Sequence, residues 1–149
     1  MIKGDANVEQ VPRISLLLKI AHHTFARRLN RNMESVGLTK AQCDVLGYLH
    51  RHQDGPVYPV DLERELQLKR PTVTGLVKRL EEKGFLRCVP STMDRRYKEL
   101  RLTEKSRAQH DQMLRFIDEQ EEIMLRGLDG GDRETLRHLL TLMLHNMQE

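Results

Sequence analysis

The periodicity of the apolar residues changes at Gly84, and this change restricts the possible folds more than any other feature of the sequence. In 71–83, apolar residues recur every three or four positions, which is typical of a helix with one buried face. Two short strand-like runs follow Gly84, at 85–89 and 97–102, with a polar turn between them. An amphipathic helix leading directly into a β-hairpin is therefore predicted. The residues of its buried face are Val73, Leu76, Val77 and Leu80.

The predicted helix and hairpin also carry the positive charge of the chain. Segment 69–101 contains ten Lys or Arg and four Asp or Glu, a net charge of +6, whereas the whole chain has +3. The rest of the chain is therefore acidic on balance. Charge concentrated in one segment predicts a polyanionic partner for that segment, and the simpler alternative is a solvated basic surface.

Three further helices are predicted upstream of the basic segment. Apolar residues at every third or fourth position predict a long helix over 11–35. Thr39 and Gln42 have the spacing of a capping box, which predicts the start of a second helix. Pro59 and Pro71 suit the first turns of a third and a fourth helix, because the amide hydrogen that proline lacks has no partner there.

Two helices are predicted after the hairpin. Thr103 is placed to cap the fifth helix, Gly130-Gly131 to end it and Asp132 to cap the last one. The predicted fold is mainly α with a small β-hairpin: a winged helix-turn-helix lobe flanked by N- and C-terminal dimerisation helices. The predicted domains are a dimerisation helix at 1–36, a DNA-binding lobe at 37–103, and dimerisation helices at 104–149.

Helices followed by a hairpin in this order are the elements of a winged helix-turn-helix. A helix fits the major groove of DNA when its outward face offers donors for base edges and cations for phosphates. As a wing, the hairpin would bring basic side chains to a phosphate strand or into a narrow minor groove. The candidate DNA-binding residues are Arg70, Thr72, Thr74, Gly75, Lys78, Arg79, Arg95 and Arg96.

The segment 38–103 resembles the MarR family of bacterial and archaeal transcription regulators. The residues that carry the resemblance are Leu38, Thr39 and Gln42; Val60, Leu62 and Leu66; Pro71-Thr72-Val73-Thr74; Leu76-Val77, Leu80-Glu81 and Gly84-Phe85; Asp94 and Arg96; and Leu102-Thr103. The flanking helices match the family by layout only, and that layout covers the whole chain.

The resemblance implies a homodimer whose first and last helices interlock and whose two lobes read the halves of a near-palindromic operator. It implies that Asp94 supports the wing by holding a nearby basic side chain, and that Arg96 lies at the wing tip against DNA. Most such proteins repress genes. No cofactor is predicted for this chain. Many release DNA when a small anionic or aromatic molecule, or an oxidant, reaches the cleft between the dimer arms and the reading lobe.

Dimerisation is also predicted from the residues. Hydrophobic residues make up 38% of the chain and Trp is absent, so a modest core is expected, and long apolar stripes favour pairing with a second copy. The candidate interface residues are Ile14, Leu18, Leu136, Leu140 and Met143. Candidates for an effector pocket, where the first, second and fifth helices would meet, are His22, Phe25, Arg28, Cys43 and Leu46.

Two other functions stay open from the sequence. Cys43 could be oxidised as a redox switch, although a thiol on an apolar helix face is more often a small buried hydrophobe. The lobe could also be a protein-interaction module without DNA binding. The sequence has no motif of an enzyme, and its seven histidines include no pair at i, i+4, so neither catalysis nor a metal site is predicted. Two distant cysteines, no membrane-length apolar run and no signal peptide in 1–10 favour the cytoplasm.

Overall fold

The computed structural model describes residues 11–148. Over that range the chain forms six helices and one two-stranded antiparallel sheet, which confirms the mainly helical fold with a small hairpin. The elements are α1 (Ile14–Ser35), α2 (Lys40–Arg51), α3 (Pro59–Glu65), α4 (Arg70–Glu82), β1 (Leu86–Pro90), β2 (Lys98–Leu102), α5 (Glu104–Met124) and α6 (Gly130–Asn146). The interpretation of 1–10 as lacking a signal peptide lies outside the described residues.

The chain divides into two compact units, one that runs to Thr103 and one that begins at Glu104. The first unit contains one hydrophobic core, to which α2, α3, α4 and both strands contribute. Leu62, Val73 and Leu80 are completely buried in it. The whole cluster consists of Leu38, Val45, Leu46, Tyr48, Leu49, Val57, Leu62, Val73, Leu76, Val77, Leu80, Phe85, Leu86, Leu100 and Leu102.

The corner between α1 and α2 forms as the sequence predicts. Gly37 has a φ of +78°, a left-handed conformation that glycine adopts without strain, and it directs the chain out of α1. The Thr39 hydroxyl accepts a bond from the Gln42 amide, and the Gln42 side chain accepts one from the Thr39 amide, so the capping box is confirmed. Lys83, at the end of α4, donates to the Gly37 carbonyl and to Gln42 Oε1, at 2.6 and 3.0 Å. One ammonium group therefore joins the ends of three helices.

Each strand begins one residue later than the sequence predicts, because β1 starts at Leu86 and β2 at Lys98. In the register, Leu86 faces Leu102 and Cys88 faces Leu100, so one face of the hairpin covers the core. Before α3, Val57 forms an isolated bridge with Leu100, whose amide donates to the Val57 carbonyl at 2.8 Å.

The second unit corrects one prediction. Asp132 does not cap the last helix; Asp129 does, and its side chain accepts a bond from the Asp132 amide at 2.8 Å. Gly130 and Gly131 therefore form the first turn of α6, and the left-handed residue before it is Gly127, with a φ of +91°. Both aspartates suit a cap, and the two act together, because the Asp132 carboxylate accepts a bond from the Asp129 amide at 3.3 Å and completes a capping box.

Arg133 ties the two helices of the second unit together. Its guanidinium donates to the Glu122 carboxylate at 2.6 Å and to the Leu128 carbonyl at 3.2 Å. The Glu122 pKa is lowered by the hydrogen bond and charge of Arg133. Within residues 11–148, no helix has the length and apolar character that crossing a membrane requires.

Candidate nucleic-acid interface

Helix α4 is fixed in the lobe by its apolar face. Val73, Leu76, Val77 and Leu80 are all buried, as the spacing predicts. Burial of these four side chains stabilises the lobe by about 1.5–3 kcal/mol each. Because this face packs on the core, the opposite face of α4 points outward. The helix begins at Arg70 with proline at its second position, one residue earlier than predicted.

The outward face of α4 displays the predicted reading residues. Thr72, Lys78 and Arg79 are exposed, and so is Arg70 at the first turn. The Thr74 hydroxyl donates to the Arg70 carbonyl at 2.9 Å, so in the free protein its hydrogen is used within the helix. Donors and cations on one exposed helix face are the groups that base edges and phosphates require.

Gly75 lies on the same helix, and the fold does not require a glycine at this position. Its φ is that of a normal helix, and an added Cβ would meet no atom within 4 Å. A glycine inside a helix costs about 1 kcal/mol compared with alanine, so the fold alone would favour alanine here. The predicted close approach of DNA to Gly75 stays a prediction.

The tip of the hairpin carries two exposed arginines and one carboxylate. Arg96 donates through Nε and Nη2 to both oxygens of Asp94, at 2.7–3.1 Å, and the Arg96 amide donates to Asp94 Oδ1 at 3.0 Å. These bonds hold the pKa of the Asp94 carboxyl below its usual value. The basic side chain that Asp94 contacts is thus Arg96 itself, which orients the guanidinium before any partner arrives. Arg95 is exposed beside it.

Sequence reasoning missed a cleft of about 560 Å³ between the starts of α3 and α4 and the start of β2. Arg70, Arg96 and Lys98 give it three cationic groups, and Glu63 gives it one carboxylate. Its remaining walls are Tyr58, Pro59, Val60 and Tyr97. The only sequence signal for it was the basic character of 69–101, because the cleft joins three elements that are separated in sequence.

The effector-pocket candidates are spread over two helices of the first unit. His22 and Arg28 are exposed on α1, and Phe25 is half-buried there. Leu46 is a buried member of the core, and Cys43 packs against that core. A ligand in contact with Leu46 would therefore have to displace core side chains, and the pocket stays a prediction.

The raised pKa of the Cys43 thiol makes this residue a poor target for oxidation. Burial, with the negative charge of Asp44, raises its pKa to about 11, and the smaller effect of Lys83 opposes this rise. Because the thiolate is the reactive form, the neutral thiol of Cys43 reacts slowly near neutral pH. Within the described residues, no three His, Cys, Asp or Glu side chains are grouped as a metal ion requires.

The predicted dimerisation residues lie on two helices that bury no residue completely. In the first unit, Ile14 and Leu18 are 66% and 38% exposed. In the second unit, Leu136 is 36% exposed, and Leu140 and Met143 are partly buried. Neither α1 nor α6, both fully within the described residues, contains a buried residue. The assignment of these five residues to an interface stays a prediction.

A folded lobe with an exposed, cationic helix α4 and an arginine-tipped hairpin defines the class of winged-helix DNA-binding domains. A sequence model of the MarR family matches residues 36–96. YwoH of Bacillus subtilis, described as an uncharacterised HTH-type transcriptional regulator, is 31% identical over 124 residues, which are 80% of this chain and 85% of YwoH. The chain belongs to the MarR family of winged-helix transcription regulators, and the resemblance seen in the sequence is confirmed.

Other relatives agree with this assignment. BadR of Rhodopseudomonas palustris, described as a transcriptional activatory protein, is 34% identical over 105 residues, 70% of this chain and 60% of BadR. The match therefore spans about 60% of the length of that relative. MepR of Staphylococcus aureus, a transcription regulator of the multidrug efflux pump MepA, has a TM-score of 0.80 at 26% identity over 91% of this chain and 99% of MepR. A MepR–DNA complex has a TM-score of 0.64 at 26% identity, covering 91% of this chain and 96% of that one.

Proposed function

We propose that this chain is one subunit of a homodimeric transcription regulator that binds double-stranded DNA at a pseudo-palindromic operator. The observation that carries the proposal is the division of α4 into a buried apolar face and an exposed face of donors and cations. The alternative, a basic surface that is only solvated, does not explain why the positive charge lies on both α4 and the wing tip. The structure of MepR with DNA supports the same use of the fold.

In the proposed complex, α4 enters the major groove and the wing meets the backbone or the minor groove. Thr72, Thr74 and Lys78 would contact base edges, while Arg70 and Arg79 would contact phosphates at the edges of the helix. Arg96, already oriented by Asp94, would bring its guanidinium to a phosphate or a narrow minor groove. Substituting Thr72, Thr74 or Lys78 should change the preferred bases, and a uniform loss over all sequences would assign these residues to phosphate contacts.

Two lobes are needed to read a palindrome, and the exposed apolar side chains of α1 and α6 support a dimer. A dimer with two-fold symmetry presents two copies of α4 to half-sites about one helical turn of DNA apart. A single lobe would contact only one half-site and would lose most of the affinity.

The test is selection of bound sequences from random duplexes of roughly 30 base pairs, a length that accommodates two half-sites. The proposal expects a pseudo-palindromic motif to be enriched. Binding to it should weaken steeply with salt, and Arg96→Ala should weaken binding and reduce the salt slope by about one unit. If no duplex is retained at low salt, the chain is instead the protein-interaction module considered above.

The sign of regulation follows from where the operator lies, and we propose repression. A dimer that covers a promoter excludes polymerase without any further contact. Activation is the second candidate, because BadR is described as an activatory protein. A reporter under the selected operator, with and without the protein, separates the two, and increased transcription with the protein would replace repression by activation.

We further propose that a small anionic or aromatic effector controls DNA release through His22, Phe25, Arg28, Cys43 and Leu46. A ligand can release DNA only if it favours one arrangement of the lobes over another. The competing switch, oxidation of Cys43, is weakened by its thiol pKa of about 11.

One experiment separates the two switches: operator release is measured with peroxide and with salicylate-like phenolic acids. Phenolic release that survives in Cys43→Ser and is lost in Arg28→Ala supports the pocket. Peroxide release that is lost in Cys43→Ser supports the thiol. If neither agent releases the wild-type protein from DNA, both proposals about the effector are wrong.

A further inference from the structure

The base of the wing contains a buried hydroxyl group with a defined pair of partners. Ser91, directly after β1, is only 1% exposed. Its Oγ accepts a hydrogen bond from the Met93 amide at 3.2 Å and shares a second one, of 2.8 Å, with the hydroxyl of Tyr58. A polar side chain is costly to bury unless it is bonded, so the two partners specify where Ser91 can lie.

Tyr58 belongs to a different part of the lobe, since it is 33 residues away and immediately precedes α3. Its own backbone is fixed, because the Tyr58 amide donates to the Asp61 carboxylate at 2.8 Å. The neighbouring Val57 bridges to Leu100 of β2. The start of α3 is therefore bonded to both strands of the hairpin, through Leu100 on one strand and Ser91 beyond the other.

Ser91 also closes the loop at the wing tip, through its backbone amide. The Ser91 amide donates to the Tyr97 carbonyl at 2.9 Å, across the loop that holds Arg95 and Arg96. The ring of Tyr97 meets that of Tyr58 edge to face, with centroids 6.3 Å apart, an arrangement favoured by aromatic quadrupoles. Tyr58, Ser91 and Tyr97 thus form one connected group, which we call the wing anchor.

We propose that the wing anchor, through the hydrogen bond between Tyr58 and Ser91, positions Arg95 and Arg96 for DNA. The proposal rests on the proposed function and adds two positioning residues to it. Both arginines are exposed, so core packing does not determine their location. A loop that is ordered before binding loses less conformational entropy on binding, and rigidity of this kind increases affinity without a new contact.

The first test compares Tyr58→Phe with the wild-type protein on the selected operator. The substitution keeps the aromatic ring and removes only the hydroxyl. Affinity should fall about fivefold to tenfold, the consequence of losing one hydrogen bond that orders the loop. Tyr48→Phe, a buried tyrosine on α2, is the matched control and should bind as the wild type does. Unchanged affinity in Tyr58→Phe overturns the proposal.

Ser91→Ala decides whether Tyr58 acts through the anchor or by touching DNA itself. Tyr58 lines the cationic cleft and is partly exposed, whereas Ser91 is too buried to reach a DNA molecule. A similar loss of affinity in both variants supports positioning. A loss in Tyr58→Phe without one in Ser91→Ala assigns Tyr58 to direct contact and overturns the anchor.

A double-mutant cycle tests whether the anchor works through the arginines. In a protein that already carries Arg95→Ala and Arg96→Ala, Tyr58→Phe should have no further effect on affinity, because there is no cation left to position. An equal effect in both backgrounds would overturn the proposal. Thermal unfolding of the same variants shows whether the change is only one of stability: a lower midpoint with unchanged affinity also contradicts it.

The experiments distinguish a failure of the wing anchor from a failure of the proposed function. If the wild-type protein retains no duplex, the proposed function itself fails. If the wild type binds and the variants bind equally well, DNA binding stands and only the wing anchor is wrong.

Discussion

The winged lobe and the helices α1 and α6 use similar apolar side chains in opposite ways. In the lobe, leucines such as Leu62 and Leu80 are completely buried. On α1 and α6, Ile14, Leu139 and Leu144 are half or more exposed, and neither helix buries a single residue within the part of the chain that the structure describes. The lobe thus buries its apolar residues within its own chain, whereas α1 and α6 leave apolar surface exposed, as expected of helices that bind a partner.

The strongest test of this difference is to place charge on the two exposed helices. Leu18→Glu together with Leu140→Glu should abolish dimers and operator binding, since a charge in an apolar interface has no partner and one lobe reads half a site. Sedimentation velocity and gel shift measure the two effects. Lys19→Glu with His138→Glu, at exposed positions on the same helices, is the matched control. A dimer with full affinity in the leucine variant would show that α1 and α6 serve another purpose.

A core substitution in the lobe should have a large effect of a different kind. Leu80→Ala removes a fully buried side chain and should lower the free energy of unfolding by about 2–5 kcal/mol. Urea unfolding measures the loss. Substitutions at Leu18 should change stability in a way that depends on protein concentration, since association contributes to it. If Leu80→Ala costs less than 1 kcal/mol, the lobe is not packed as described.

The capping box at the border of the lobe should contribute about 1 kcal/mol. Thr39→Ala removes the oxygen that accepts the Gln42 amide bond, and caps of this kind are worth about 1 kcal/mol. Thr39→Ser retains the hydroxyl and is the matched control. Chemical denaturation should show the loss in the first variant alone, and equal stabilities in both variants would contradict the contribution of this cap.

Gly75→Ala should increase the free energy of unfolding, by an amount similar to or smaller than the loss in Thr39→Ala. The added methyl group meets open space, so alanine should stabilise α4 by about 0.5–1 kcal/mol. If DNA approaches this position closely, the same methyl group should weaken operator binding while unfolding becomes harder. Gains in both stability and affinity would remove Gly75 from the interface.

The local features of the lobe could be predicted from the sequence because each depends on neighbouring residues. The capping box of Thr39 and Gln42, the glycine at 37 and the buried face of α4 all follow from spacings of three or four residues. The cap of α6 was predicted wrongly at Asp132, because Asp129 and Asp132 both satisfy the same local rule. The Tyr58–Ser91 bond was beyond prediction, since its partners are 33 residues apart and meet only when the hairpin returns to α3.

The position of Lys83 has a mechanical consequence. Its ammonium, at the end of α4, donates to Gly37, two residues after α1, and to Gln42 of α2. With its 22 residues, α1 is a lever about 33 Å long. If these hydrogen bonds are kept, a displacement of about 3 Å at the far end of α1 corresponds to a rotation of only about 5° at the Lys83 end. The length of α1 would therefore make the orientation of α4 insensitive to the exact position in which the start of α1 is held.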